Sequence, residues 1–208
     1  MAKPACLDHL ILGVSDLARG IEFVEERTGV RAALGGIHPG RGTRNALLAL
    51  DAHCYLEILA PDPQQPTLAW FRGLPQLTEP HLMGWMVHPR DLAALAERLR
   101  YCGIACDPPR ENSRQRPDGR TLRWKLRRLA DDQGLLPFLI EWSADSPHPA
   151  DNAPSGLSLV QFAISSPCPD ALQRTFEILG LDVPVVRSDR PQLHARLAGP
   201  RGVLELVS

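Results

Sequence analysis

Apolar and polar positions along the chain follow two alternating periods, and the change between them recurs in a fixed order. Residues 7–14 (Leu-Asp-His-Leu-Ile-Leu-Gly-Val) read as a strand. Asp16 then caps an amphipathic helix running to about residue 28, with Leu17, Ile21, Phe23 and Val24 on its apolar side. Three strand-like segments follow near 30–36, 44–50 and 54–60, which gives the order βαβββ. A connector, 61–80, is expected to carry a short helix at 67–74. The order then restarts with a strand at 82–88, Asp91 ahead of a helix at 92–101, and strands near 104–109, 120–128 and 136–143. A Pro- and Asp-rich stretch, 143–154, ends that unit. A third pass gives a strand at 157–165, a helix at 169–179 and strands near 183–187, 192–198 and 202–207. The fold class is α+β: a two-module domain over 1–145, a linker over 146–155 and a third βαβββ module over 156–208.

Each module ends on an apolar strand with a glutamate set in it: Tyr55-Leu56-Glu57-Ile58-Leu59, Phe138-Leu139-Ile140-Glu141-Trp142 and Val203-Leu204-Glu205-Leu206-Val207. A carboxylate in a strand fit for burial is costly unless a cation, a metal or a proton neutralises it. Side chains alternate across a strand, so His9 shares a face with Leu7 and Ile11, Glu57 with Tyr55 and Leu59, and Glu141 with Leu139. One imidazole and two carboxylates, His9, Glu57 and Glu141, form a candidate metal set with open coordination positions, suited to Mn, Fe, Ni or Zn. The alternatives are a hydrogen-bonded core histidine and carboxylates that hold an arginine. For Glu205 an ion pair with Arg196 or Arg201 is the expectation, because Leu159 stands where His9 would.

Composition narrows the classes. With 208 residues and 44% hydrophobic content the chain can build a substantial core. No apolar run approaches the roughly 20 residues of a membrane helix, and the first residues lead into a strand pattern rather than a secretory signal, so no membrane partner and a cytoplasmic address are expected. A formal charge of -1 and the lack of interleaved basic and aromatic residues argue against a nucleic-acid partner. The 5 cysteines are odd in number and scattered, which argues against a disulfide framework.

Several segments together carry a resemblance: Leu7-Asp8-His9, the glycine- and histidine-containing stretch from Gly35 to Asn45, Tyr55-Leu56-Glu57, Trp85, Ser113-Arg114 with Pro117-Asp118-Gly119, and Leu136 to Trp142. The chain resembles the vicinal oxygen chelate superfamily, and most nearly its glyoxalase-like branch, over residues 7–145. The resemblance implies a cupped, mixed eight-stranded sheet built from two βαβββ modules, with a divalent metal held in the cup. It also implies a fourth ligand on the first strand of module two. Aligning Asp16 with Asp91 puts Gly84 at that position, flanked by His81 and His88, of which only His88 has the parity of Gly84.

The remaining candidates border the cup. The stretch 35–45 reads as a glycine-rich turn across its mouth, with His38, Thr43 and Asn45 supplying polar groups, and His38 is the residue there best suited to proton transfer. Thr121–Leu129 alternates Leu122, Trp124 and Leu126 with Arg123, Lys125 and Arg127, a half-buried strand with a solvated basic face. Arg114 sits in a presumed loop, 113–119, with Asp118, where a guanidinium can grip a carboxylate. Two functions stay open. One is a metal-dependent lyase, isomerase or dioxygenase acting on a small oxygen-rich or anionic substrate, with His38 or Glu141 moving the proton. The other is a metal-free protein that sequesters a small molecule beside Trp85 or Trp124. Module three, with an unpaired edge and an apolar face, is expected to pair with its copy in a homodimer.

Overall fold

The structure, a computed structural model, describes residues 6–65 and 68–208. Module one consists of β1 (Cys6–Gly13), α1 (Leu17–Thr28), β2 (Ala33–His38), β3 (Thr43–Ala49) and β4 (Tyr55–Pro61). Module two consists of β5 (His81–His88), α2 (Leu92–Tyr101), β6 (Arg110–Gln115), β7 (Thr121–Arg128) and β8 (Phe138–Trp142). Module three consists of β9 (Ser158–Ser166), α3 (Pro169–Leu179), β10 (Val185–Arg187), β11 (Gln192–Gly199) and β12 (Gly202–Val207). Asp16 and Asp91 cap α1 and α2 as the sequence predicts, their carboxylates accepting from Arg19 N and Ala94 N.

The first eight strands close into a barrel in the order β1-β4-β3-β2-β6-β7-β8-β5. The two modules meet where β1 runs antiparallel to β5, and where Ile37 of β2 pairs with Gln115 of β6. Gly36 makes that second seam: at φ 139° a Cβ would come within 1.9 Å of the Gln115 carbonyl oxygen, so only glycine lets β6 approach β2 this closely. The alternation of each strand then separates two sets of apolar side chains. Leu10, Leu12, Leu48, Leu56, Ile58, Trp85 and Leu139 face outward beneath the helices, whereas Ile11, Leu59, Met86, Leu126 and Ile140 face the barrel interior.

Module three forms a separate four-stranded sheet, β10-β9-β11-β12. Its apolar face is covered within the chain, contrary to the open face expected from sequence. Phe162, Ile164, Phe176, Leu193, Leu197, Leu204 and Leu206 join the outward-facing core of the barrel. Trp85 is fully buried there, its ring centroid 5.0 Å from that of Phe162 and 5.7 Å from that of Phe176. β12 and β11 pack on α1 and β5, and α3 on α2.

Two local expectations are corrected. Residues 104–109 form no strand beyond an isolated bridge between Cys106 and Leu129; the strand begins at Arg110, which turns the presumed 113–119 loop into the end of β6 and a turn. The short helix of the connector is a 3-10 turn at Leu74–Gln76, and position 67 of the expected helix lies outside the described residues. No helix among the described residues is long and apolar enough to cross a membrane.

Candidate functional site

The interior-facing side chains of the barrel enclose a cavity of about 70 Å³, room for a few waters or the head of a small organic anion. Polar groups come from one side: His9 on β1, His38 on β2, Thr43 and Asn45 on β3, Tyr55 and Glu57 on β4, Arg114 on β6. Ile11, Leu59, Met86, Leu126 and Ile140 form the apolar floor, and Trp124 and Trp142 the far wall. Trp70 and Phe71 roof it, Phe71 with φ 53°, a left-handed conformation uncommon for a non-glycine residue. Trp70 stacks on Phe138 with centroids 5.9 Å apart, and beyond that stack lies an outer depression of about 410 Å³.

Glu57 is the hub of the polar side, and it is 6% exposed. Its Oε1 accepts from Asn45 Nδ2 at 2.5 Å, its Oε2 lies 3.6 Å from His9 Nε2, and Oε1 lies 3.8 Å from His38 Nε2. His38 Nδ1 is 2.8 Å from Thr43 Oγ1. Burial, with further depression by the positive charges of Arg114 and Arg41 against the opposing pull of Glu57, pushes the His38 pKa down to about 4. His38 is therefore a neutral imidazole near pH 7. The ring of His9 stacks on Tyr55 at 4.4 Å between centroids, and burial raises the Tyr55 hydroxyl pKa well above its ordinary value, so the phenol stays protonated.

Arg114 is the buried cation of the cavity, which Arg41 also borders. It is 4% exposed, burial lowers its pKa, and its Nε has no hydrogen-bond partner among the described residues. The Oδ1 of Asn45 is likewise buried without a partner. Both groups approach Gly35: a Cβ there would lie 2.3 Å from Asn45 Oδ1 and 3.1 Å from Arg114 Nη1, so glycine leaves the room they occupy. A buried guanidinium without a hydrogen bond to its Nε costs free energy that an anionic ligand offsets.

The sequence candidates divide accordingly. His9, His38, Thr43, Asn45, Glu57, Arg114 and Trp124 converge on the cavity. Glu141 does not: Ile140 and Trp142 line the cavity, so Glu141 takes the opposite face of β8, with Leu139, and pairs in register with Lys125. Trp85 also faces outward, its indole donating to the Leu135 carbonyl at 2.9 Å, and serves the core. Asp118 stands in the turn after β6, paired with Arg120 at 2.8 Å and Arg116 at 3.4 Å. The ion pair expected of Glu205 is present, with Arg196 Nε 3.1 Å from its carboxylate.

The residues present do not fit the expected metal. Among the described residues no group of three or more His, Cys, Asp or Glu side chains is arranged to hold an ion. The physical reasons are local. Glu141 is on the wrong face, and Gly84 borders the outer depression. The Asn45 amide nitrogen, a donor, sits 2.5 Å from Glu57 Oε1 and so occupies one oxygen of the carboxylate expected to bind the ion.

One further group was overlooked in the sequence reading. Asp8 is 1% exposed and its Oδ1 lies 2.6 Å from His9 Nδ1. Trp142 Nε1 donates to its Oδ2 at 2.9 Å, His148 Nε2 lies 3.3 Å away and His88 Nδ1 3.7 Å away. Burial opposes its ionisation, but the hydrogen bonds from His148 and His9 outweigh it and hold the carboxyl well below the usual range. Strand parity placed Asp8 on the face opposite His9. The register shift of β1 against β5 between Leu7 and His9 lets the two side chains meet.

Comparison with known proteins agrees with this architecture. The profile of the glyoxalase-like domain matches residues 7–180. No curated protein matches the chain. The solved structure of a hypothetical protein from Staphylococcus aureus is similar with a TM-score of 0.65 and 18% identity, covering 97% of this chain and 84% of that one. Methylmalonyl-CoA epimerase from Mycobacterium tuberculosis is similar with a TM-score of 0.49 and 23% identity, over 69% of this chain and 91% of that one. With the closed barrel of two βαβββ modules and a domain match spanning both of them, the chain belongs to the glyoxalase-like domain family of the vicinal oxygen chelate superfamily.

Proposed function

We propose that the cavity takes a small carboxylate-bearing molecule and moves a proton on it without a metal held by the protein's own side chains. The observation that carries this reading is Arg114, a buried guanidinium facing the cavity with its Nε free of any partner among the described residues. It is suited to a ligand carboxylate, which accepts two parallel hydrogen bonds from such a fork. Glu57 is the base. It takes the proton from a carbon next to a carbonyl, the C–H electron pair becomes the C=C bond of an enolate, and the negative charge passes to the carbonyl oxygen. His38 is neutral, and in the tautomer whose Nδ1 accepts from the Thr43 hydroxyl, with the Asn45 amide donating to Glu57 alone, it has an Nε2–H to offer that oxygen. Returning the proton from Glu57 to carbon completes an isomerisation or exchange.

A second reading is a sequestering protein, favoured by the aromatic enclosure of Trp70, Phe71, Trp124 and Trp142. One experiment separates the two. Short 2-oxo carboxylates are incubated with the protein in D₂O and deuterium entry next to the carbonyl is followed by proton NMR. The enzyme reading expects exchange faster than buffer in the wild type and its loss in Glu57→Gln. Binding in calorimetry with no accelerated exchange would leave the sequestering reading standing and remove the enzymatic one.

A further inference from the structure

The Asp8 cluster lies behind the proton-transfer site and has a chemistry of its own. Four nitrogens surround one buried carboxylate, and they come from four places in the chain: His9 on β1, His88 at the end of β5, Trp142 on β8, and His148 in the 143–154 stretch. An ionised carboxylate can only accept hydrogen bonds. The contact with His9 at 2.6 Å therefore places the hydrogen on His9 Nδ1, and Nε2 becomes the nitrogen whose protonation can change. That Nε2 faces Glu57 Oε2 at 3.6 Å. The Tyr55 ring, stacked on the imidazole, keeps its plane fixed.

We propose that Asp8 is a positioning residue which fixes the tautomer and orientation of His9, so that His9 Nε2 exchanges the proton that Glu57 takes from the ligand, and that His148 and Trp142 hold Asp8 for this task. The inference rests on the proton-transfer reading above. In the step, the proton on the Glu57 carboxyl passes to His9 Nε2; Glu57 returns to its anion, His9 becomes an imidazolium, and Asp8 stays ionised and stabilises that charge. Glu57 is thereby reset without waiting for the same proton to return to carbon. Exchange with solvent protons then proceeds through His9. The segment 143–154, which the sequence presents as a connector, becomes part of the site through His148.

The test is Asp8→Asn, measured two ways on the full chain. An asparagine amide donates toward His9 Nδ1, so nitrogen NMR of histidine-labelled protein should show His9 changing from the Nδ1–H to the Nε2–H tautomer. The kcat for deuterium entry into a short 2-oxo carboxylate should fall roughly 10²–10⁴-fold with KM little changed, as expected when a general base loses its orienting carboxylate. His148→Leu removes one nitrogen from Asp8 and keeps its charge, and should lower kcat less than Asp8→Asn, whereas His148→Gln, which still donates, should recover part of what His148→Leu loses. These histidine variants carry the test if Asp8→Asn does not fold. An unchanged His9 tautomer in Asp8→Asn, an unchanged kcat, or a loss expressed in KM alone would overturn the proposal. A wild type that fails to exchange deuterium would instead end the proton-transfer reading, and the tautomer measurement would still decide what Asp8 does to His9.

Discussion

The ring of Phe138 lies 3.5 Å from the position a Cβ on Gly84 would occupy. Gly84 is where the superfamily resemblance calls for a fourth metal ligand, and here an aromatic ring from β8 stands in front of it. With Glu141 turned outward, the set expected of a metal is incomplete, and the proposed ligand is held through hydrogen bonds to the polar side of the barrel. Dialysis against a chelator should therefore leave both carboxylate affinity and deuterium exchange as they were. Loss of either on chelation, with recovery on adding back one divalent ion, would contradict this arrangement.

Arg114 should dominate ligand affinity. Arg114→Lys keeps a positive charge but loses the two-pronged hydrogen bond, so calorimetry should show carboxylate binding weakened by about 1–3 kcal/mol. Arg114→Met removes the charge and should abolish detectable binding of the carboxylate while leaving a neutral analogue unaffected. Equal affinities for wild type and Arg114→Lys would place the carboxylate elsewhere.

Much of this was readable from the chain. Strand and helix periodicity located the three modules, and Asp16 and Asp91 marked the starts of α1 and α2. Parity and the family pattern put His9 and Glu57 in the cup, whereas His38, Asn45 and Arg114, expected on a turn and a loop at its mouth, reach it from strands β2, β3 and β6. Parity failed where it had to be referred from one strand to another. Glu141 and Glu57 occupy similar strand sequences, but which face of β8 points inward depends on the pairing of β8 with β5 and β7, and no local signal carries that. Trp85 looked like a cavity aromatic because its real partners, Phe162 and Phe176, come from module three. Asp8 was hidden by a register shift, which breaks the alternation on which such reasoning depends.

Module three should be inseparable from the barrel. Trp85 is buried between the two, so Trp85→Ala removes a large side chain from both at once and should lower unfolding free energy by about 3–5 kcal/mol in urea titration. Removal of residues 156–208 should leave the outward face of β5 exposed and the remainder aggregating. A truncated protein that is monomeric and gives a native-like spectrum would show that the shared core is dispensable.

His38 should give the protein a distinctive loss of stability in mild acid. Its pKa is about 4 in the folded protein and near 6.5 when free, chiefly because burial penalises the imidazolium. Between those two values the unfolded chain binds a proton that the folded chain does not, so stability rises with pH across this window and falls as pH drops from about 6.5 toward 4. The gap corresponds to roughly 3 kcal/mol. Asp8 acts in the same direction but lower down, since a depressed carboxylate loses its contribution only below its ordinary pKa of 3.8. His38→Gln removes the titrating group, so its urea unfolding free energies at pH 7 and pH 4.5 should differ less than those of the wild type. The other histidines contribute to both proteins and cancel in the comparison. Equal pH slopes in wild type and variant would mean that folding leaves the His38 pKa near its free value, and that burial does not hold the imidazole neutral beside Glu57 in mild acid.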